Sequence, residues 1–115
     1  MNDQVKTQIS EEFHKGRQSW EFTGVYGLWG GLRIRVEIKR DSYDFQSYGR
    51  VKVFDPETRQ WNFLHEIPYS KLAVLGASYV DRTVKSHLFH RDKTILIKKA
   101  KLILGIPEEG EEVAS

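Results

Sequence analysis

Two short constellations in this chain of 115 residues have the residue types and spacing for chemistry. Val36-Glu37-Ile38-Lys39 carries the Glu-x-Lys spacing of metal-dependent nucleases, with both side chains on one face of a strand. Such a site also needs an acidic residue on the neighbouring strand to complete the metal ligands, and the upstream segment offers only Glu21. A strand whose charged residues alternate with aliphatic ones generates Glu-x-Lys without any chemistry. His87 and His90 stand three apart on an expected helix, and a third ligand would make them a metal site. Asp92 projects only roughly to their side, and paired surface histidines are ordinarily solvated. His14 and His65 are isolated, and no Gly-x-Ser-x-Gly elbow surrounds any serine. The four glycines between Gly24 and Gly31 match neither the dinucleotide fingerprint nor the Walker loop, so they read as tight turns beside packed Tyr26 and Trp29. The absence of cysteine removes thiol nucleophiles, disulfides and zinc–thiolate sites. The expectation is no enzyme, no cofactor, no metal and no small-molecule substrate.

The residues that remain are suited to contact. Leu32-Arg33-Ile34-Arg35-Val36-Glu37-Ile38-Lys39 alternates aliphatic and charged residues, the signature of a strand with one buried and one wet face. Downstream, Asp55-Pro56-Glu57-Thr58-Arg59 is a turn in residue chemistry: Asp55 accepts from the backbone ahead of it and Pro56 pre-sets φ. A four-residue loop from Pro56 to Arg59 sets Asp55 opposite Gln60 and Phe54 opposite Trp61. That register puts Val51, Val53, Asn62 and Leu64 on one face, and Arg50, Lys52, Phe54, Trp61, Phe63 and His65 on the other. If the aliphatic side lies under a helix, Arg33, Arg35, Glu37 and Lys39 join the rings on the open face. The candidate binding residues are therefore Arg33, Arg35, Arg50, Lys52, Phe54, Trp61 and Phe63.

A basic and aromatic sheet face has two uses. Rings can stack bases while Arg and Lys hold phosphates, as in single-strand binders. The same rings can form the desolvated centre of a protein interface, against another protein or a second copy. A third outcome is that the segment from Trp20 to Trp29 covers the face as ordinary core. The formal net charge of +2 is too small to favour nucleic acid.

The elements that must position these residues form an α+β domain: a three- to four-stranded antiparallel meander between Leu32 and Pro68, with one long C-terminal helix across one face. Trp20 to Phe22 suggests a short extra strand. Tyr69 to Tyr79 reads as a helical turn and loop. From Thr83 to Leu104, Val84, Leu88, Ile95 and Leu102 keep one stripe on a helix, with Phe89, Leu96 and Ile103 beside it. Gly105 stands where a left-handed cap belongs, Pro107 ends the helix, and Lys98, Lys99 and Lys101 suit its negative end. Residues 1–19 read as a mobile arm with one possible helical turn capped by Ser10, residues 20–106 as one globular domain, and residues 107–115 as an acidic disordered tail. Without Glu108, Glu109, Glu111 and Glu112 in that tail the charge rises from +2 to +6, so the tail is either solvated or folds back to compete for a basic site. No apolar run is long enough for a membrane span and the N-terminus lacks a signal-peptide core, so a cytoplasmic location with no membrane partner is expected.

The run Arg40-Asp41-Ser42-Tyr43-Asp44-Phe45-Gln46-Ser47, followed by Trp61 in the next strand and a C-terminal amphipathic helix, resembles stretches of small accessory proteins encoded by bacteriophages. The resemblance spans roughly Leu32 to Leu104 and carries no functional residue with it. It implies a protein at work in a bacterial cytoplasm during infection, acting by binding a host protein such as a component of antiviral defence.

Overall fold

The computed structural model describes residues 5–76 and 86–106. Five strands form one antiparallel sheet in sequence order: β1 (Thr7–Lys15), β2 (Ser19–Gly27), β3 (Arg33–Asp41), β4 (Tyr48–Asp55) and β5 (Gln60–Glu66). Helix α1 (Ser86–Leu104) packs on one face. The class is α+β with an antiparallel sheet, and it has five strands rather than three or four.

The additional strands correct the reading of residues 1–19. Most of the expected arm is β1, paired with β2 along its length from Thr7 opposite Gly27 to Lys15 opposite Trp20. Its residues on the helix side include Glu11, Phe13 and Lys15, too mixed in polarity to show a two-residue period. The Trp20–Phe22 strand extends from Ser19 to Gly27, and its alternate residues Trp20, Phe22 and Tyr26 are buried. Gly30 and Gly31, at φ 96° and 80°, carry the turn into β3, and the Leu28 N–H donates to the Leu32 carbonyl at 2.7 Å. Trp29 on that turn is 40% exposed, so only Tyr26 of that pair packs inside.

One core lies between sheet and helix. Ile34, Val36 and Ile38 of β3 and Val51 of β4 are buried against Leu96, Ile97 and Ala100 of α1. Gly49 makes the approach close, since a Cβ there would stand 3.0 Å from Leu72 and 3.6 Å from Leu96. Short 3-10 turns at Tyr69–Lys71 and Ala73–Gly76 follow β5, and Val74 is buried. Gly105, at φ 74°, caps the helix as expected, and the Ile106 N–H reaches back to the Lys101 carbonyl at 2.9 Å.

The buried stripe of α1 differs from the expected one. Ile95 and Leu102 are exposed, while Asp92, Lys93 and Lys101 are buried. For Asp92 and Lys93 the cause is specific pairing. The Asp92 carboxylate accepts from the backbone N–H groups of Ala73 and Val74, both at 2.9 Å. The Lys93 ammonium meets Glu11 of β1 at 2.7 Å. Polar groups with partners of that kind occupy core positions that apolar counting assigns to aliphatics. Val84 and the acidic tail lie outside the described residues.

Candidate functional site

The hairpin between β4 and β5 has the expected register. Phe54 opposes Trp61, Asp55 opposes Gln60, and the Arg59 N–H closes the loop on the Asp55 carbonyl at 2.7 Å. The Asp55 side chain accepts from the Glu57 N–H at 2.9 Å, and this backbone donor holds its carboxyl below the usual range. Further along, β5 takes one extra residue at Leu64, so Phe63 opposes Lys52 but His65 opposes Val51. That bulge corrects the placement of His65, which belongs to the helix side. There burial, and then the charge of Lys99 on α1, lower its pKa.

On the face away from α1 the side chains form rows across the strands. In one row Val25, Arg35, Lys52 and Phe63 align, and beside it lie Arg33, Phe54 and Trp61. The next row holds Glu12, Thr23, Glu37, Arg50 and Glu66, and the one after it His14, Glu21, Lys39 and Tyr48, with Asp41 beyond. The face is therefore divided. Arg33, Arg35, Lys52, Phe54, Trp61 and Phe63 share a patch without a carboxylate of its own, at the end of the sheet that holds the Pro56 turn. Five carboxylates occupy the other part with Arg50 and Lys39. A uniformly basic face with one acidic residue is the reading this corrects: the alternation in β3 is local, whereas Glu12, Glu21 and Glu66 arrive from strands whose register it does not determine.

Glu37 stands at the boundary. Its carboxylate accepts from Arg50 Nε at 2.8 Å and pairs with Arg35 at 2.7 Å and Lys52 at 3.4 Å. Burial pushes the carboxyl pKa up, but the Arg50 hydrogen bond and the charges of Arg35, Lys52 and Arg50 outweigh it and hold the pKa below the ordinary range. The Glu-x-Lys pair thus has its glutamate committed to three cations, while Lys39 turns to Asp41 at 3.6 Å. In the second chemical constellation Asp92 is buried with each oxygen on a backbone donor, whereas His90 is exposed. The His87 side chain lies outside the described residues.

The guanidinium carbons of Arg33 and Arg35 lie 5.0 Å from the ring centres of Phe54 and Trp61 respectively. Phe54 and Trp61 are themselves 5.2 Å apart at 60°, and Phe63 is 59% exposed. Arg50 stands apart from this patch, 3.9 Å over the ring of Tyr48. Residues Trp20 to Gly27 of the segment expected to cover the face are instead part of β2 in the same sheet, with Trp20 and Phe22 facing α1. Sequence reasoning missed Tyr43 and Phe45, which are 56% and 73% exposed on the β3–β4 loop, and a shallow cleft of about 270 Å³ beside Phe45, Tyr48 and Tyr69. No sequence signal separates an exposed loop aromatic from a buried one.

Among the described residues no helix is long and apolar enough to cross a membrane. No family model, no curated protein and no solved structure matches the chain.

Proposed function

We propose that the chain is a small non-enzymatic binding protein that docks a protein partner through the patch of Arg33, Arg35, Lys52, Phe54, Trp61 and Phe63. The observation that carries this reading is the pairing of each guanidinium with a ring, Arg33 on Phe54 and Arg35 on Trp61, beside exposed Phe63. Aromatic anchors rimmed by arginine are what protein interfaces concentrate at their centres. The same pairing weighs against stacked bases, because Arg33 and Arg35 already cover ring surface that a nucleotide would use. The carboxylates of Glu12, Glu21 and Glu66 on the rest of the face would also repel a phosphate backbone crossing the sheet. Resemblance to phage accessory proteins makes a bacterial host protein, in the cytoplasm, the partner to test first.

Affinity capture from a bacterial lysate, with and without nuclease, tests the reading on the wild type and on Trp61→Ala, Phe63→Ala and Arg35→Ala. The expected result is a captured protein indifferent to nuclease, lost with Trp61→Ala or Phe63→Ala, and retained through moderate salt. Capture abolished by nuclease, with affinity falling steeply as salt rises, would give the face to single-stranded nucleic acid instead. If no variant changes capture while the fold survives, the patch is not the docking site.

A further inference from the structure

We infer that the outer edge of β5 pairs with the β5 edge of a second copy, joining two five-stranded sheets across a two-fold axis. This goes beyond the docking reading and does not depend on it.

The sheet has two edges, β1 and β5, and they are built differently. Along β1 stand Glu11, Glu12, His14 and Lys15, charges of the kind that keep an edge from recruiting another strand. Between Gln60 and His65, β5 has no Lys, Arg, Asp, Glu or Pro. Among the described residues its outer side has no strand. The Leu64 bulge ends the regular ladder and limits the stretch available for pairing to Gln60–Leu64.

Antiparallel pairing of two such stretches about Asn62 sets Trp61 of each copy opposite Phe63 of the other. Both pairs fall on the open face, because side chains alternate with a period of two. Cross-strand aromatic pairs are among the more favourable on a sheet, and no charged residues meet in this register. Phe63, now 59% exposed, gains a ring on its uncovered side.

Helix α1 packs on the other face, away from Trp61 and Phe63. Phe89 lies against Phe13 and Phe22 near β1 and β2, and Leu96 lies over Gly49 of β4. Within the last turn of α1, Lys101 is buried and Leu104 packs against the core. Closure about a two-fold uses both β5 edges and leaves only the charged β1 edges outside, so the assembly stops at two copies.

Light scattering on the eluting protein, at a concentration on the order of 100 µM so that a weak dimer is populated, tests this. The expected mass is twice the 13.4 kDa of the chain. Phe63→Lys and Phe63→Glu, at an exposed position on that edge, should each return it to 13.4 kDa with unchanged far-UV circular dichroism. Arg33→Ala, on β3 away from the edge, should leave the dimer intact. A wild-type mass of one copy overturns the inference. So does a dimer that survives both edge substitutions, or one that Arg33→Ala also dissolves, which would place the contact on the open face.

Discussion

Lys93 of α1 and Glu11 of β1, 82 positions apart in sequence, meet at 2.7 Å between the helix and the sheet. Glu11 also accepts a hydrogen bond from the Tyr26 hydroxyl, and the Lys93 ammonium lies 5.7 Å from the ring centre of Phe22 and 5.2 Å from that of Tyr26. One carboxylate therefore ties an edge strand to both the helix and β2. It is the polar complement of the aromatic contact that Phe13 makes with Phe89.

Acid should loosen β1 first. Burial raises the Glu11 pKa, but hydrogen bonds from Lys93 and Tyr26 outweigh it and set the folded value below the ordinary one. A carboxylate with a lowered folded pKa contributes stability above its unfolded pKa, and that contribution is lost as pH falls through the folded value. Amide exchange in β1 should accelerate below about pH 4, the range where an unperturbed Glu titrates, earlier than exchange in β3. Lys93→Met should abolish that difference. It should also cost stability at neutral pH, on the order of 1–3 kcal/mol, by leaving Glu11 without its cation. Equal acid sensitivity of β1 and β3 in the wild type would refute the role given to this pair.

Gly24 makes the same arrangement possible. It lies opposite Glu11, and a Cβ there would stand 2.3 Å from the Tyr26 hydroxyl oxygen and 2.8 Å from the Phe22 ring. The Tyr26 side chain crosses this gap to reach its acceptor. Gly24→Ala should destabilise the fold by about 1–3 kcal/mol, the usual cost of overpacking a filled core. Denaturant melts measure it, and Gly16→Ala, where the nearest atom is 3.4 Å away, is the control that should change little.

Asp92 secures the segment after β5. Burial raises its carboxyl pKa, against the lowering effect of the Ala73 and Val74 N–H donors. A raised folded pKa means that the folded state favours the proton, so this group costs stability as pH rises from its unfolded value through its folded one. Asp92→Ala removes that cost but strands two buried N–H donors. The net loss should be about 1–3 kcal/mol, since orphaned buried donors cost that much. Faster amide exchange at Ala73 and Val74 would locate the effect, and unchanged exchange there would exclude it.

How much of this was legible follows from the range of each interaction. The β4–β5 hairpin was readable because Asp55 and Pro56 act on their own backbone, and Phe54 opposite Trp61 follows from loop length alone. The left-handed Gly105 cap was readable for the same reason. β1 was hidden because Glu11 is acceptable on its inner face only through Lys93. The burial of Asp92 was hidden because its donors belong to Ala73 and Val74. His65 was misplaced by a single extra residue, Leu64, whose presence in the ladder no local pattern announces. Of the seven proposed contact residues six share the patch, and Arg50 falls outside it.

Glu37→Gln tests how the divided face is held together. The carboxylate compensates Arg35, Arg50 and Lys52 at once, and it is only 13% exposed. Replacing it with a neutral amide keeps the shape and one acceptor but leaves three neighbouring cations without their shared counter-charge. The fold should lose about 1 kcal/mol or less, because the three cations are partly solvated and screened. Anion affinity should change more: retention on a sulfated resin should rise, and added salt should reverse it. The same substitution should remove the stability that Glu37, with its lowered folded pKa, contributes above its unfolded pKa and loses as pH falls through the folded value. Unchanged retention, with the fold intact, would mean that Arg35 and Lys52 are neutralised by groups other than Glu37.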